Sequence, residues 1–368
     1  MTHTVTVGFP RMVKEKGEKR VYLPAFIQYL TRYADIFLEE GYGSRSGFTF
    51  DDYRQGNPRV FKCDRQEAHR KDFVIELRAP NEDEFALIRP GSCLVSMLHY
   101  PTRSRRVQML KELGIKSISM DSIVDDNNMR LVENMRAVAW NGLEAAFDYL
   151  EGECPNLLRG GQPYRAVILG TGMVGKHAID AASKLGDIER NNRHIALNGP
   201  GAISICVGRN LSTFPDQMEC LFRQADVLVD ATNRRDPTVP VVPNGWLAWL
   251  PSHAVIVDLA VDPYLLEHQP VTVRGIEGIP QGNLDQYTFA PDDPNWDRTV
   301  PASIPSRNRR AVVSCYSWPG IHPGACMEHY ARQLEPLMDV LLTQPYESLT
   351  LDGNYFERTL ARAKLPEP

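Results

Sequence analysis

Tyr164-Arg165-Ala166-Val167-Ile168-Leu169-Gly170-Thr171-Gly172-Met173-Val174-Gly175 decides the fold. Four apolar residues, Ala166 to Leu169, run into a Gly-x-Gly-x-x-Gly loop, and a helix-like run, Lys176 to Leu185, follows. A strand, a glycine loop and a helix in that order form a turn that can cradle a pyrophosphate. Gly170 permits the tight turn, Gly172 lets the backbone approach a phosphate, and Gly175 lets the helix pack on the strand. The first turn of such a helix offers free N–H groups and the positive end of its dipole. Gly170, Thr171, Gly172, Met173, Val174 and Gly175 are therefore expected to bind a dinucleotide.

Downstream, further short strands are expected at Ile203 to Val207, Val227 to Asp230, Val255 to Leu259, Val271 to Arg274 and Val312 to Ser314. Apolar strands alternating with helices predict a parallel sheet covered on both faces. The segment Asp187 to Gly201 is long and polar, and Gly275 to Arg310 reads as an irregular loop rich in Pro, Asp, Asn and Arg. The second strand ends Val207-Gly208-Arg209-Asn210, with no acid to bond a ribose 2′-OH. A guanidinium suits a 2′-phosphate. Arg209 and Asn210 are thus expected at the cofactor, and NADP(H) is favoured over NAD(H).

The N-terminal part also alternates strands and helices. A strand is expected from Met1 through Val5 to Phe9, a helix from Pro24 to Glu40, and strands over Asp72 to Leu77, Ser92 to Leu98 and Lys116 to Met120. A helix is expected over Thr102 to Leu113, and another over Asn127 to Glu151, where apolar steps of three and four dominate. That second helix leads into a loop at Gly160-Gly161-Gln162-Pro163. A last helix is expected from about Gly324 to Leu342. The fold class is therefore α/β, with two Rossmann-like domains. Residues 1–138 and 318–368 are expected to form the substrate and catalytic domain, and 139–317 a doubly wound dinucleotide-binding domain, with a cleft between the two.

Composition narrows the function. The chain has 368 residues, with 43% hydrophobic, 24% charged and a formal net charge of -5, which gives no broad electrostatic support for nucleic acid. Seven cysteines, among them Cys154, are scattered without a CxxC pair, so neither a disulfide framework nor a metal site is expected. No signal peptide and no apolar run of about 18 residues is seen, so a soluble, cytoplasmic protein without membrane contact is expected.

Other short motifs flank the glycine loop: Gly8-Phe9-Pro10, Glu18-Lys19-Arg20-Val21 with Leu23-Pro24, Leu77-Arg78-Ala79-Pro80, Leu98-His99, Val257-Asp258-Leu259-Ala260-Val261-Asp262 and Pro319-Gly320. In this order and spacing the sequence resembles the family of alanine dehydrogenase and the alpha part of nicotinamide nucleotide transhydrogenase. It is similar also to that family's relatives, lysine-forming saccharopine dehydrogenase and N5-(carboxyethyl)ornithine synthase. The likeness runs from Val5 to about Leu342. It implies an oxidoreductase that reduces an imine formed from a 2-oxo acid and an amine.

In that resemblance Arg20 takes the place of the arginine for the substrate carboxylate, and His99 that of the catalytic histidine. Asp262 takes the place of an acid that serves cofactor or amine. Arg78 departs from the family's lysine. It can bind and polarise but cannot titrate, which leaves proton transfer to His99. Ser317 stands where the family usually has asparagine, and is expected to touch substrate. Pro263-Tyr264-Leu265 follows Asp262 where the alanine enzymes have Gln-Gly-Gly. The departures favour an amino acid as the amine, an opine or saccharopine-type enzyme. The alternatives are an alanine dehydrogenase using ammonia and NAD(H), and a catalytically silent nucleotide-binding regulatory protein. A 2-oxo acid and an amine or amino acid are the expected partners, and a homo-oligomer is compatible with the family.

Overall fold

The computed structural model describes residues 4–153 and 161–366. Met1 to His3, Cys154 and Gly160, which entered the readings above, lie outside the described residues. The chain divides into two compact units. The first runs from the N-terminus to Asn134 and resumes at His322, and the second is Met135–Ile321. The crossing points expected from sequence were 138–139 and 317–318.

In the first unit the strands are β1 (Thr6–Phe9), β2 (Asp35–Glu39), β3 (Val60–Cys63), β4 (Phe73–Arg78), β5 (Cys93–Met97) and β6 (Lys116–Ser119). They form one parallel sheet in the order β3-β2-β1-β4-β5-β6, the doubly wound order. Alternation fixes its two faces. Ile75, Leu77, Cys93 and Val95 point into one core with Phe26, Ile27 and Leu334. Val74 and Leu94 point into another with Phe85 and Leu110.

In the second unit the strands are β7 (Tyr164–Leu169), β8 (Ala202–Val207), β9 (Val227–Asp230), β10 (Val255–Asp258), β11 (Thr288–Phe289) and β12 (Ala311–Ser314). Their order is β11-β12-β10-β9-β7-β8, parallel except for the edge strand β11. Val227, Val229, Val255 and Val257 face one core, while Leu228 and Ile256 face the other. The α/β class with two Rossmann-like units is therefore what the chain adopts. The strand order reverses between β7 and β9, and such a switch point is where open α/β sheets bind ligands.

Three local expectations are corrected. The helix from Pro24 stops at Leu30, and Asp35–Glu39 is β2. Ile36 and Leu38 are fully buried there, and pairing with β1 outweighs the local helical pattern. The helix expected from Asn127 starts at Met135. Before it, the Asp125 carboxylate accepts the amides of Asn127 and Met129, both at 2.8 Å, and holds the chain in a turn. Val271–Arg274 is not a strand, since only Thr272 forms an isolated bridge, to Leu265. The polar segment after Asp187 contains a helix, Ile188–Ala196, capped by the Asp187 carboxylate. The irregular stretch before Arg310 is anchored by the buried Phe289 and Trp296.

Candidate active site and cofactor cradle

In the second unit the loop after β7 is built by glycines that nothing else could replace. Gly170 has φ 111°, and a Cβ there would stand 2.3 Å from the Ala231 carbonyl oxygen. A Cβ on Gly175 would stand 2.1 Å from the Gly170 carbonyl oxygen, so the helix Met173–Ser183 can sit against the loop only without a side chain. At Gly172, by contrast, a Cβ would meet nothing within 4 Å. The loop is tight behind and open in front. Gly172 also carries no side chain to cap the helix, which leaves its first N–H groups facing outward.

The opening is a cavity of about 390 Å³ lined by Gly170, Thr171 and Gly172 from the end of β7 and by Ala231, Thr232 and Asn233 from the end of β9. Thr171 and Met173 are exposed, and Val174 is half-buried. Arg209, at the end of β8, is exposed and lines the same cavity. Its Nη2 donates to the Asn233 carbonyl at 2.9 Å, so the guanidinium spans from one strand end toward the next. Asn210 is exposed beside it, and its carbonyl accepts the Thr213 hydroxyl. These residues fit a dinucleotide: an open glycine loop, a helix N-terminus and a cation where an adenosine ribose would lie.

Asp262 belongs to the same end of the sheet. Its Oδ2 accepts Arg234 Nη2 at 2.8 Å and Nε at 3.2 Å, and Arg234 lines the cavity. Asp258, by contrast, is buried, accepts the Ser314 hydroxyl at 2.8 Å and pairs with Arg274. Of the two acids in this segment, Asp262 is the partly exposed one. Ser317 is buried, and its amide donates to Cys315 Sγ at 3.4 Å.

The first unit has its own strand ends. Arg20 is 4% exposed and donates from Nε at 2.9 Å and Nη2 at 2.6 Å to the two oxygens of Glu18. Burial alone would lower its pKa, but the bidentate carboxylate outweighs it and raises it. Burial likewise works against the Glu18 carboxylate, and Arg20 holds its pKa below the usual range. Arg78 at the end of β4 reaches the same acid, with Nη1 2.7 Å from Glu15 Oε1 and 3.3 Å from Glu18 Oε2. Glu18 thus ties the two candidate arginines together. Lys14 Nζ donates to the carbonyl of Ala79, next to Arg78. Burial, and then repulsion from Arg78, lowers its pKa.

His99 follows β5, whose Met97 is the register partner of Arg78. It adopts φ 53°, a left-handed conformation that turns the chain out of the sheet. Its side chain is half exposed, and Nδ1 lies 3.3 Å from Asp121 Oδ2. The His99 amide donates to Asp121 Oδ1 at 3.1 Å, and the Ser119 hydroxyl to the same oxygen at 2.8 Å. Burial opposes ionisation of Asp121, but the bonds and charge of His99 outweigh it and hold the carboxyl well below the usual range. A carboxylate on Nδ1 orients the ring and leaves Nε2 to take or give a proton. The motifs gave no hint of Asp121 or Glu15, and Glu18 stood in one of them without a role. The neighbouring strands β5 and β6 bring Asp121 to His99, and the end of β4 meets Glu15 and Glu18 through Arg78.

Comparison with known proteins bears on this arrangement. Residues 9–139 match the family model described as the N-terminal domain of alanine dehydrogenase/PNT. An alanine dehydrogenase from Mycobacterium tuberculosis is 24% identical over 329 residues, 84% of each chain. An NAD(P) transhydrogenase subunit alpha from Haemophilus influenzae is 23% identical over 195 residues, 50% of this chain and 37% of the relative. Among solved structures, an L-alanine dehydrogenase superposes with a TM-score of 0.72 at 22% identity, covering 98% of this chain and 94% of the other. Over residues 9–139 the chain is thus similar to the alanine dehydrogenase/PNT N-terminal domain, and over most of its length to alanine dehydrogenases, in keeping with its motifs. The relatives named here place the alanine dehydrogenase alternative ahead of the opine reading.

Proposed function

We propose that the chain is a nicotinamide-dependent amino acid dehydrogenase of the alanine dehydrogenase type, which reduces the imine of a 2-oxo acid and ammonia. The observation that carries the reading is the open glycine cradle at the β7–β9 reversal, in a chain whose other unit matches the alanine dehydrogenase N-terminal family. The cofactor, when bound, supplies the hydride. The chain's own residues bind substrate and move protons. His99 gives and takes a proton at Nε2, with Asp121 fixing the ring. Arg78, partly exposed, is assigned the direct contact with the substrate carboxylate, because the Nε and Nη2 of Arg20 are engaged by Glu18. Arg20 then acts through Glu18. Ser317 is assigned to the substrate and Asp262 to the cofactor ribose or the amine. Arg209, with no acid at the end of β8, favours NADP(H) over NAD(H).

A second reading, with an amino acid as the amine, is favoured by the carboxylates Glu15 and Glu18 beside the arginines, which complement a cationic substrate. The test is a substrate matrix. Pyruvate, glyoxylate or 2-oxoglutarate is paired with ammonia, lysine or ornithine, and the absorbance of NADPH and of NADH is followed. Oxidation with ammonia supports the first reading. Oxidation only with an amino acid supports the second. A protein that binds cofactor tightly but turns over nothing contradicts both.

A further inference from the structure

The cavity in front of the glycine loop does not end there. A second chamber of about 430 Å³ shares Arg209, Ser212, Arg234 and Val241 with it and continues past Val239 to Trp246. Trp246 is partly buried and stacks on Trp249 at 5.2 Å between ring centroids, which gives the far wall a fixed aromatic surface.

The arginines of this chamber differ in what they are committed to. Arg234 is spent on Asp262 and on the carbonyls of Pro237 and Val239. Arg209 is steadied by one carbonyl, that of Asn233, and so leans toward the loop after β9. Arg235, two residues beyond Asn233, is exposed, lines only the second chamber, and makes no hydrogen bond or ion pair with any described residue. The one acid of the chamber, Asp236, turns away into its own loop, where Oδ1 accepts the amide of Thr238 at 2.9 Å and its hydroxyl at 2.6 Å. The chamber thus offers two exposed guanidinium groups from two different strand ends, beside a single acid held by its own turn.

We propose that Arg235 is a second ligand for the 2′-phosphate of the cofactor and acts with Arg209 as a two-arginine reader of that phosphate. This rests on the NADP(H) reading above. A phosphate monoester carries close to two negative charges near neutral pH and has three acceptor oxygens. One exposed guanidinium satisfies part of that, and a second, approaching from the β9 side, can take the remaining oxygens. A cofactor without the phosphate meets neither arginine in this way, so the pair reads the phosphate rather than the nucleotide.

The test is calorimetric titration of the full chain with 2′,5′-ADP, 5′-AMP, NADPH and NADH. The proteins compared are the wild type, Arg209→Ala, Arg235→Ala and Arg235→Lys. Arg235→Ala is expected to weaken 2′,5′-ADP and NADPH about tenfold or more, to leave 5′-AMP and NADH within about twofold, and to recover in part as Arg235→Lys. If Arg209→Ala weakens only the phosphorylated ligands while Arg235→Ala changes nothing, the role of Arg235 is overturned and the NADP(H) reading stands. If the wild type binds 2′,5′-ADP no better than 5′-AMP, and Arg209→Ala is silent, the NADP(H) reading falls and takes this inference with it.

Discussion

The two units are built on closely similar doubly wound sheets, yet they use the ends of their strands in opposite ways. In the second unit the reversal between β7 and β9 opens on a cavity of about 390 Å³, kept clear by glycines. In the first unit the end of β4 is crowded by the chain's own charges. Glu18 bridges Arg20 and Arg78, and Arg65 bridges Glu39 and Glu84. The cavities around Arg20 measure only about 30 and 10 Å³. One sheet end is left open in front of its backbone loop. The other is a charged network of side chains already paired.

The contrast can be broken most severely at the cradle. Gly175→Val should abolish binding of NADPH and NADH in a titration, because even the first carbon of the side chain falls 2.1 Å from a backbone oxygen. Next comes His99→Ala, which should lower kcat by about 10²–10⁴-fold and leave cofactor affinity unchanged, as measured by steady-state rates beside calorimetry. Asp121→Asn should cost about 10–100-fold in kcat and distort the pH–rate profile on the His99 limb, since it removes the group that orients the ring. An unaltered profile would reduce Asp121 to a structural role.

The smallest effect concerns Glu76 on β4, which is buried with one carboxylate oxygen lacking a hydrogen-bond partner among the described residues. Burial first, and then the nearby Glu84, push its pKa well above the ordinary value, while Lys14 and Arg65 pull the other way. A carboxyl whose folded pKa is raised contributes stability below the unfolded pKa, about 4.3, and loses it as pH rises toward the folded value. Glu76→Gln should therefore gain on the wild type as pH increases from about 5 to 8, by roughly 2–4 °C in Tm for each kcal/mol. Thermal melts across that range check it, and parallel curves for the two proteins would contradict it.

What the sequence disclosed follows from how local each signal is. The glycine loop and the alternating strands β7, β9 and β10 are legible because each depends on neighbours in the chain. The strand β2 is not, since its residues pattern equally well as the end of a helix until β1 lies beside them. Arg20, Arg78 and His99 could be singled out by motif, but the pairings they make could not. Glu15 and Asp121 carry no motif of their own, Glu18 sits in one without revealing that it bridges two arginines, and Asp121 reaches His99 only because β5 and β6 are neighbours in the sheet. The same holds for Arg235, which gains meaning from the chamber and not from its place in the chain.

The most direct test of the account is the initial rate of NADPH oxidation by the full chain with pyruvate and ammonia, measured for the wild type and for His99→Ala matched in cofactor binding. The account predicts turnover that requires both the oxo acid and the amine and that collapses in the variant. Equal rates in the two proteins, or oxidation that ignores the amine, would contradict it.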